Sequence, residues 1–391
     1  MPHPSKNKIR ICHVLSKLDI GGMENGVINL CNNLNSEKFE PMICCVKDRG
    51  LMAARLSDKV KIYNLRYKEG KAPLRPVALA SFFKKIKPDI VHTHGWGSCS
   101  FDGIIGARLA SVPVVLNGEH GYIFSEKHQI YLQKLLAKMC DQTLSVSNSL
   151  KIRIQKEFNL DPEKISVIQN GVEINNIRSR SEAQAFKNRV LNELKLDPSE
   201  KYFIIGSVGS LKSAKNQMLL LRAIQRIKSD TNILVLLIGD GPDRTKLEKF
   251  IAEANLNKSV FLMGQQQNVQ EFYPLFDVLV STSISNHEGM SNVILEAMAN
   301  SIPVIATNSV GSAELIRDRF NGFLITSNNI EALQHRLQFF MVQPEILKNM
   351  GRAAHCFVKE NFSLGKMIAE YQSLYLNSFN RNSVWHFSYC V

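Results

Sequence analysis

Two glutamates in one short stretch have side chains suited to binding hydroxyl groups. Glu288 and Glu296 are separated by seven residues in the segment EGMSNVILE. A carboxylate accepts hydrogen bonds from two hydroxyl donors, so sugar and ribose hydroxyls are the groups that such a pair would bind. For either glutamate alone, a helix cap or a solvated surface position is the simpler interpretation. Their joint occurrence around Gly289 favours a binding site.

The residues around this pair predict how it is positioned. Val278–Val280 predicts a buried strand, Val293–Ala299 a buried helix and Pro303–Ala306 the next strand. Strand, glycine turn, helix and strand form a βαβ unit, and the N-terminus of its helix attracts anions. The residues that would meet a phosphate at that helix N-terminus are Gly289, Met290, Ser291 and Asn292.

The segment from Glu288 to Glu296 resembles the E-x7-E signature of the retaining, nucleotide-sugar-dependent glycosyltransferases of family 4. Further motifs, from Gly21-Gly22 to Tyr375, follow in the family's order. The resemblance implies an α/β fold with two Rossmann-like, doubly wound parallel-sheet domains (the GT-B fold) that face a central crevice. It also implies that Glu296 holds the ribose hydroxyls and that Glu288 contacts the sugar.

The domain organisation is predicted from short apolar runs that alternate with helical segments, the pattern of parallel doubly wound sheets. We predict an N-terminal, acceptor-side domain over residues 1–175, a polar linker over 176–200 and a nucleotide-sugar-binding domain over 201–360. Residues 361–380 resemble the family's last helix, which crosses back to the first domain. Residues 381–391 are expected to form a tail with a frayed end.

The loop Gly209–Asn216 follows the first strand of the second predicted domain. Lys215 matches the family's lysine, which together with an arginine clamps the donor's diphosphate. Ser210 stands where the family usually has that arginine, and serine carries no charge. Lys212 partly substitutes for it. We therefore assign Gly209, Lys212 and Lys215 to donor binding, with Lys215 also stabilising the leaving group.

Two other glycine-rich turns follow predicted strands. Gly21-Gly22 lies between a strand and a helix, and Gly239-Asp240-Gly241-Pro242 forms a G-x-G-P turn. Either turn alone is equally typical of a tight connection without a ligand. The resemblance places Gly21 and Gly22 near the donor's distal phosphate or sugar, and Gly241 near the nucleotide.

Three histidines lie at predicted strand ends of the first domain: His92, His94 and His120. Of His92 and His94, we expect only one to face the crevice. Their H-x-H spacing permits a metal site, but no carboxylate or cysteine cluster completes one, so we predict no metal. His120 resembles the family's histidine beside the transferred sugar, and we assign it there. A hydrogen-bonded structural role is the alternative for each histidine.

The overall composition indicates a globular protein without a membrane span. Of 391 residues 45% are hydrophobic and 21% charged, and the apolar runs are far shorter than the roughly 20 residues that a bilayer requires. The N-terminus lacks a secretory signal pattern, and the eight cysteines show no zinc spacing. We therefore expect a cytoplasmic protein with reduced cysteines.

Positive charge is concentrated in the first half of the chain. Residues 1–200 contain 30 of the 48 lysines and arginines and 20 of the 35 acidic residues, which leaves a net charge of +10 there. Such a surface suits anionic lipid or a phosphorylated acceptor, while nucleic acid ranks last because no recognition motif accompanies the charge. Glu126–Cys140 predicts an amphipathic helix, either packed in the core or, with Lys84, Lys85 and Lys87, docked on the inner face of the cytoplasmic membrane.

The function predicted from these features is transfer of a sugar from a nucleotide-sugar donor to an acceptor hydroxyl with retention of configuration. The resemblance implies that the departing phosphate helps to deprotonate the acceptor, without a cofactor or metal. Lipid-linked or saccharide acceptors in bacterial lipopolysaccharide or surface-polysaccharide assembly are the family-level expectation. The alternatives are an epimerase or phosphorylase of the same fold, or an inactive nucleotide-sugar-binding, membrane-docking subunit, which Ser210 suggests.

Overall fold

The computed structural model describes residues 8–67, 74–95, 97–121, 127–174, 180–284 and 289–387. The chain forms two compact units, of which the first comprises Met1–Gly171 with Leu364–Val391 and the second Val172–Ser363. Each unit contains one parallel β-sheet.

Seven strands build the sheet of the first unit: β1 (Ile9–Leu15), β2 (Phe39–Cys45), β3 (Lys61–Asn64), β4 (Ile90–His94), β5 (Val114–Glu119), β6 (Gln142–Ser145) and β7 (Ile165–Val167). They lie in the order β3-β2-β1-β4-β5-β6-β7, and neighbouring strands are parallel. The strand order reverses between β1 and β4, which is where open α/β sheets bind ligands.

Helices cover both faces of this sheet: α1 (Gly22–Asn33), α2 (Arg75–Ile86), α3 (Ser98–Leu109), α4 (Lys127–Met139) and α5 (Asn148–Phe158), with 3₁₀ turns at Leu51–Arg55 and Pro162–Lys164. Because successive side chains of a strand point to opposite faces, β1 divides its residues between two cores. Cys12 and Val14 pack with α2, α3 and α4, whereas Ile9 and Ile11 pack with α1. Both faces are therefore buried, as expected of a parallel sheet.

The second unit begins with α6 (Arg180–Glu193), and its sheet has six strands: β8 (Tyr202–Val208), β9 (Asn232–Ile238), β10 (Val260–Gly264), β11 (Val278–Ser281), β12 (Val304–Thr307) and β13 (Gly322–Ile325). Their order is β10-β9-β8-β11-β12-β13, all parallel, and it reverses between β8 and β11. The other helices are α7 (Gln217–Arg226), α8 (Arg244–Glu253), α9 (Asn292–Ala299), α10 (Val310–Ala313), α11 (Ile330–Val342) and α12 (Pro344–Asn361), with 3₁₀ turns at Val269–Glu271 and Tyr273–Leu275.

The last helix, α13 (Leu364–Phe387), belongs to the first unit. Tyr371 and Tyr375 are buried in the core that contains Ile9 and Ile11. The helix backbone continues through residue 387, so the expectation of a frayed tail from residue 381 is wrong for the described part of that segment.

The predicted linker over 176–200 requires a correction, because α6 occupies most of it. Phe186 and Val190 are buried and lie one helical turn apart. The Phe186 ring packs edge-on against the Phe272 ring, with the ring centroids 5.1 Å apart. These few apolar contacts hold an otherwise polar helix in the second unit. The helix was not predicted from the sequence because most of its residues are polar.

Two other features bear on the expectations from composition. In the described part of the chain, six cysteines are buried and one, Cys356, is exposed, and all seven are free thiols. None of the helices found in the described ranges combines the length and the apolar character needed to cross a bilayer.

Candidate functional site

The loops after β8 and β9 lie against each other, backbone to backbone. The N–H of Gly209 donates to the Ile238 carbonyl oxygen at 2.9 Å. The N–H of Leu211 donates to the Asp240 carbonyl oxygen at 3.0 Å. Gly239 has φ +135°, and a Cβ atom there would lie 2.1 Å from the Gly209 carbonyl oxygen. Only glycine satisfies both conditions without strain, so these two loops form one fixed edge of the sheet.

Gly241, which the sequence prediction assigned to nucleotide contact, has a clear packing role. A Cβ atom at this position would lie 2.4 Å from the carbonyl oxygen of Leu211. The N–H of Asp243 donates to the same carbonyl at 2.9 Å. The absence of a side chain at Gly241 is therefore already explained by contact between the two loops.

Lys215 reaches across the loop that precedes α7. The lysine is half-buried, and its Cε atom lies 3.8 Å from the place that a Cβ atom on Gly209 would occupy. Its carbonyl oxygen accepts a hydrogen bond from Thr282 Oγ1 at 2.8 Å, which ties the loop to the residue after β11. Lys212 and Ser210 are exposed. Lys215 is thus the better anchored of the two cations.

Two serine hydroxyls of the second unit are buried, and one of them lies at the start of α9, where the sequence predicts anion binding. Ser291 is the N-cap residue of α9, and its side chain accepts no capping hydrogen bond. The hydroxyls of Ser291 and of Ser283 have no hydrogen-bond partner among the described residues. Buried polar groups are rarely left unsatisfied, so these two hydroxyls suit contact with a polar ligand. Gly289 and Met290, just before Ser291, are buried, and Asn292 begins the helix.

Glu296 is held in place by a tyrosine that the sequence analysis did not identify. Its carboxylate Oε2 accepts a hydrogen bond of 2.6 Å from Tyr273 Oη, and only 8% of the Glu296 residue is exposed. Burial and the negative charge of Glu296 raise the pKa of Tyr273, so this hydroxyl keeps its proton and remains a donor. The alternative interpretation of Glu296 as a solvated surface residue is therefore excluded. Glu288 lies outside the described residues.

In the first unit, four histidines gather where β1, β4 and β5 end. His13 Nδ1 and His94 Nε2 are 2.9 Å apart, and His94 Nδ1 and His120 Nε2 are 3.3 Å apart. His92 instead pairs through Nδ1 with the Tyr375 hydroxyl at 2.9 Å. Gly118 makes room for these rings, since a Cβ atom there would lie 3.1 Å from His92 Nε2. His120 thus joins a network that one strand alone does not supply.

These histidines are neutral at physiological pH. Burial lowers the pKa of His13 to about 3 and that of His120 to about 4. The pKa values of His92 and His94 are also lowered, first by burial and then by the neighbouring rings. His13, His92 and His94 are fully buried, whereas His120 is half-buried at the edge of the cluster.

The expectation that His92 and His94 differ in the side they face is wrong, whereas the absence of a metal stays a prediction. Positions i and i+2 of a strand lie on the same face, and the rings of His92 and His94 are only 4.0 Å apart. His13 on the neighbouring strand brings a third ring, so ligand atoms of three histidines lie within 4.8 Å of one another. The argument that nothing completes a metal set therefore fails. In this structure His13 Nδ1 and His94 Nε2 are hydrogen-bonded to each other.

Gly21 and Gly22 occupy the start of α1 as predicted, but a carboxylate lies beside them. Gly21 is the N-cap residue, and Glu24 is in the first turn. A Cβ atom on Gly21 would overlap a carboxylate oxygen of Glu24, at 2.2 Å. Burial raises the pKa of Glu24. A negative side chain thus already benefits from this helix N-terminus, which weakens the case for a phosphate there.

Glu119 precedes His120 on β5 but points to the other side of the sheet. Its Oε1 accepts hydrogen bonds from Asn117 Nδ2, at 2.7 Å, and from the side chain of Gln133 on α4. Burial raises the pKa of Glu119 to about 7, although both hydrogen bonds favour the ionised form. The group therefore titrates near neutrality, away from the histidines.

Two family models match the chain. The model described as "Glyco_transf_4: Glycosyltransferase Family 4" matches residues 20–176, and the one described as "Glycosyl transferases group 1" matches residues 192–356. Together they cover most of the sequence, one on each unit.

Similar proteins agree with these matches. The chain is 28% identical over 389 residues to the Escherichia coli UDP-Gal:alpha-D-GlcNAc-diphosphoundecaprenol alpha-1,3-galactosyltransferase, covering 95% of this chain and 97% of that protein. A glycosyltransferase structure from Rickettsia africae superposes with a TM-score of 0.80 at 22% identity, covering 95% of this chain and 99% of that one. The structure of Anabaena HepE in complex with UDP superposes with a TM-score of 0.78 at 18% identity, covering 94% and 99%. These superpositions identify the fold as GT-B.

Proposed function

This chain belongs to glycosyltransferase family 4 and uses a nucleotide-sugar donor, and we propose that it transfers a hexose with retention of anomeric configuration. The proposed acceptor is the hydroxyl of a lipid-linked saccharide in bacterial lipopolysaccharide or surface-polysaccharide assembly. One observation carries the proposal: a carboxylate oriented by a tyrosine lies in α9, and the buried N-cap hydroxyl of that helix has no partner within the described part of the chain.

We propose that the second unit binds the donor and that Glu296 holds the ribose. A carboxylate can accept about four hydrogen bonds, so it can bind Tyr273 and ribose hydroxyls together. The buried hydroxyls of Ser283 and Ser291 would then donate to the diphosphate or the sugar. The UDP complex of Anabaena HepE and the UDP-Gal named for the Escherichia coli relative support a uridine nucleotide, with galactose as the first sugar to test.

The proposed reaction needs stabilisation of a leaving nucleoside diphosphate. The bond between the anomeric carbon and the phosphate oxygen breaks, the acceptor oxygen bonds to that carbon on the same face, and the acceptor's proton passes to the departing phosphate. Lys215 and the N-terminus of α9 would stabilise the developing negative charge. We propose that Glu288 and His120 contact the sugar and that no metal or cofactor takes part.

The anomeric outcome and the donor can be tested in one experiment. Purified enzyme is incubated with UDP-galactose, UDP-glucose, UDP-N-acetylglucosamine, GDP-mannose and ADP-glucose, together with a short-chain lipid diphosphate saccharide, and NMR then reads the new anomeric linkage. We expect one UDP-hexose to react and the product to be an α-linked saccharide. An inverted product would refute retention. UDP binding without turnover of any donor would instead support the alternative of a binding subunit.

A matched pair of variants tests the role of Glu296. Glu296→Gln keeps the size and one acceptor oxygen but removes the charge, and we expect UDP affinity to fall by about 10- to 100-fold because charged acceptors bind hydroxyls more strongly. Glu331→Gln changes an exposed glutamate of the same unit and should leave affinity unchanged. Equal affinities of the two variants by calorimetry would refute the assignment.

We also propose that α4 places the first unit on an anionic membrane surface. Four apolar residues of this helix are exposed: Tyr131, Leu132, Leu135 and Met139. They lie beside Lys127 and Lys138, which are exposed, and Lys134, which is half-exposed. The helix also packs on the core through Leu136, as the alternative interpretation expects for that position, whereas Tyr131 is 65% exposed.

Lysines of a second helix, α2, add positive charge to the same layer of the first unit. Both helices pack on the same face of the sheet, and Lys84, Lys85 and Lys87 at the end of α2 are exposed. Apolar side chains that enter the headgroup region and lysines that attract anionic lipid act together in interfacial helices. An acceptor carried on a lipid would then be presented to the first unit.

Flotation with liposomes tests this docking surface. We expect the wild type to float with vesicles of phosphatidylglycerol and phosphatidylethanolamine but not with phosphatidylcholine alone. Tyr131→Ser with Leu135→Ser should weaken binding by at least about 10-fold, from the apolar area lost. Val342→Ser, at a residue 72% exposed in the second unit, is the control. Equal flotation of both variants, or none for the wild type, would refute the proposal.

A further inference from the structure

Three histidine rings from three strands are connected in a line. His13 of β1 meets His94 of β4, and His94 meets His120, which follows β5. The central ring uses both nitrogens, one toward each neighbour. The rings of His13 and His94 are nearly coplanar, at an interplanar angle of 18°. The line therefore links a fully buried ring to the half-buried His120.

The ring protons of His13, His94 and His120 can be arranged in only two ways along this line. A neutral imidazole has one N–H donor and one bare nitrogen acceptor. Each link needs one of each, so a proton on one nitrogen of His94 fixes the tautomers of both neighbours. Either all protons point toward His120 or all point toward His13. The tautomer of His120 is thus decided by rings that do not reach the edge of the cluster.

The far end of the line distinguishes the two arrangements. His13 Nε2 is buried and has no hydrogen-bond partner in the described part of the chain. With protons pointing toward His13, that atom would be a buried N–H without an acceptor. In the opposite arrangement it would be a bare nitrogen, and unsatisfied buried acceptors are tolerated more often than unsatisfied buried N–H groups. Protons pointing toward His120 are therefore favoured.

We propose that His13 and His94 are positioning residues that hold His120 in the tautomer protonated at Nδ1. His13 Nδ1–H donates to His94 Nε2, and His94 Nδ1–H donates to His120 Nε2. The proton of His120 then remains on Nδ1, where it can donate to an oxygen of the donor sugar. This use of the proton rests on the proposed function, whereas the tautomer follows from the histidine line alone.

NMR on protein labelled with ¹⁵N-histidine tests the tautomer directly. Long-range ¹H–¹⁵N correlations at pH 7.5 distinguish the two ring protonation patterns, and single histidine replacements assign the signals. We expect His120 protonated at Nδ1 in the wild type. In His94→Leu, which cannot donate, we expect His120 to shift toward the Nε2–H form that imidazoles prefer in water. Finding Nε2–H in the wild type, or no change in His94→Leu, would overturn the proposal.

Two further variants separate positioning from a general structural role. His94→Asn retains an amide N–H near the Nδ1 position and should restore the tautomer and most of the activity, whereas His94→Leu should lower kcat by about 10-fold or more. His92→Asn alters an equally buried ring that pairs with Tyr375 outside the line, and should leave the His120 signals in place. Equal kcat for His94→Asn and His94→Leu would contradict the proposal.

Failure of the proposed function would be distinguishable from failure of this inference. If no donor sugar is transferred, the activity comparisons lose their substrate, but the NMR assignment of His120 still decides the tautomer. If transfer occurs and His120 is protonated at Nε2, only the positioning inference falls. UDP affinity, expected to be the same for His94→Leu and the wild type, checks that the second unit remains folded.

Discussion

Mild acid should destabilise the first unit through its buried histidines. A histidine kept neutral in the fold, with an ordinary pKa of about 6.5 when unfolded, loses RT ln(1 + 10^(6.5 − pH)) of stability as the pH falls, or about 1.4 kcal/mol at pH 5.5. His13, His92 and His94 are fully buried with lowered pKa values. Their combined loss between pH 7.5 and 5.5 is about 4 kcal/mol.

Glu119 acts in the opposite direction over the same range. Its folded pKa is raised from 4.5 to about 7, so the stability associated with its protonated form is complete below pH 4.5 and is lost as the pH rises through 7. Acidification from pH 7.5 to 5.5 therefore increases the contribution of Glu119 to the free energy of unfolding by about 2 kcal/mol. The loss expected from these three histidines and Glu119 together is about 2 kcal/mol.

Variants isolate the two opposing contributions, because differences between variants cancel the other titrating groups. The free energy of unfolding is measured by urea titration, followed by circular dichroism, at pH 7.5 and 5.5. Glu119→Gln keeps the acceptor for Asn117 and should increase the acid-induced loss by about 2 kcal/mol. His92→Asn should decrease it by about 1.4 kcal/mol. His335→Asn, at an exposed histidine of the second unit, is the control.

Two outcomes of these unfolding measurements would refute the reasoning. If Glu119→Gln loses no more stability on acidification than the wild type, the carboxyl is not titrating near neutrality in the fold. If His92→Asn loses as much as the wild type, the buried ring is not excluded from protonation. Should the two units unfold in separate transitions, the transition that His92→Asn alters is the one to compare.

Four further results are expected. Tyr273→Phe should lower UDP affinity by about 10-fold in calorimetry, because it removes the hydrogen bond that orients Glu296, while equal affinity would contradict that role. Gly239→Ala should lower Tm more than Gly264→Ala, since both have positive φ but only the first Cβ meets backbone; equal losses would refute the steric argument. Ser210→Arg should raise UDP affinity by about 10-fold through a bidentate phosphate contact, and an unchanged affinity would place the phosphate elsewhere. Transfer activity should persist in millimolar EDTA and gain nothing from added zinc; loss that zinc restores would assign a metal to the three-histidine cluster.

Local signals in the sequence were sufficient for much of the fold. The strands predicted at Val278–Val280 and Pro303–Ala306 agree with β11 and β12 to within one residue, because each is a compact apolar run, as strands buried on both faces are. β13 (Gly322–Ile325) was not predicted, since four residues are too few to establish a period. The helix in the predicted linker was missed because only a few of its residues are apolar.

Contacts between residues far apart in the chain could not be predicted from local sequence patterns. Tyr273 and Glu296 are 23 residues apart, and the tyrosine lies in a 3₁₀ turn without periodicity. His13 and His94 are 81 residues apart and meet only because β1 pairs with β4 in one register. A histidine in each of two adjacent strands was the available signal, but its use requires the strand order.

The loop that has Ser210 in place of an arginine keeps its shape through contacts that do not use the side chain at that position. Gln217 Nε2 donates to the Ser210 carbonyl oxygen at 3.1 Å, and the N–H of Leu211 donates to the Asp240 carbonyl oxygen. Because backbone groups hold the loop, serine at position 210 lowers the positive charge without altering the framework. If the second unit binds the donor as proposed, the tight turn at Gly239 would fix the shape of the loop that meets the donor, and Lys215 would supply its positive charge. On the proposed function, we therefore expect the serine to change how tightly a diphosphate binds and not where it binds.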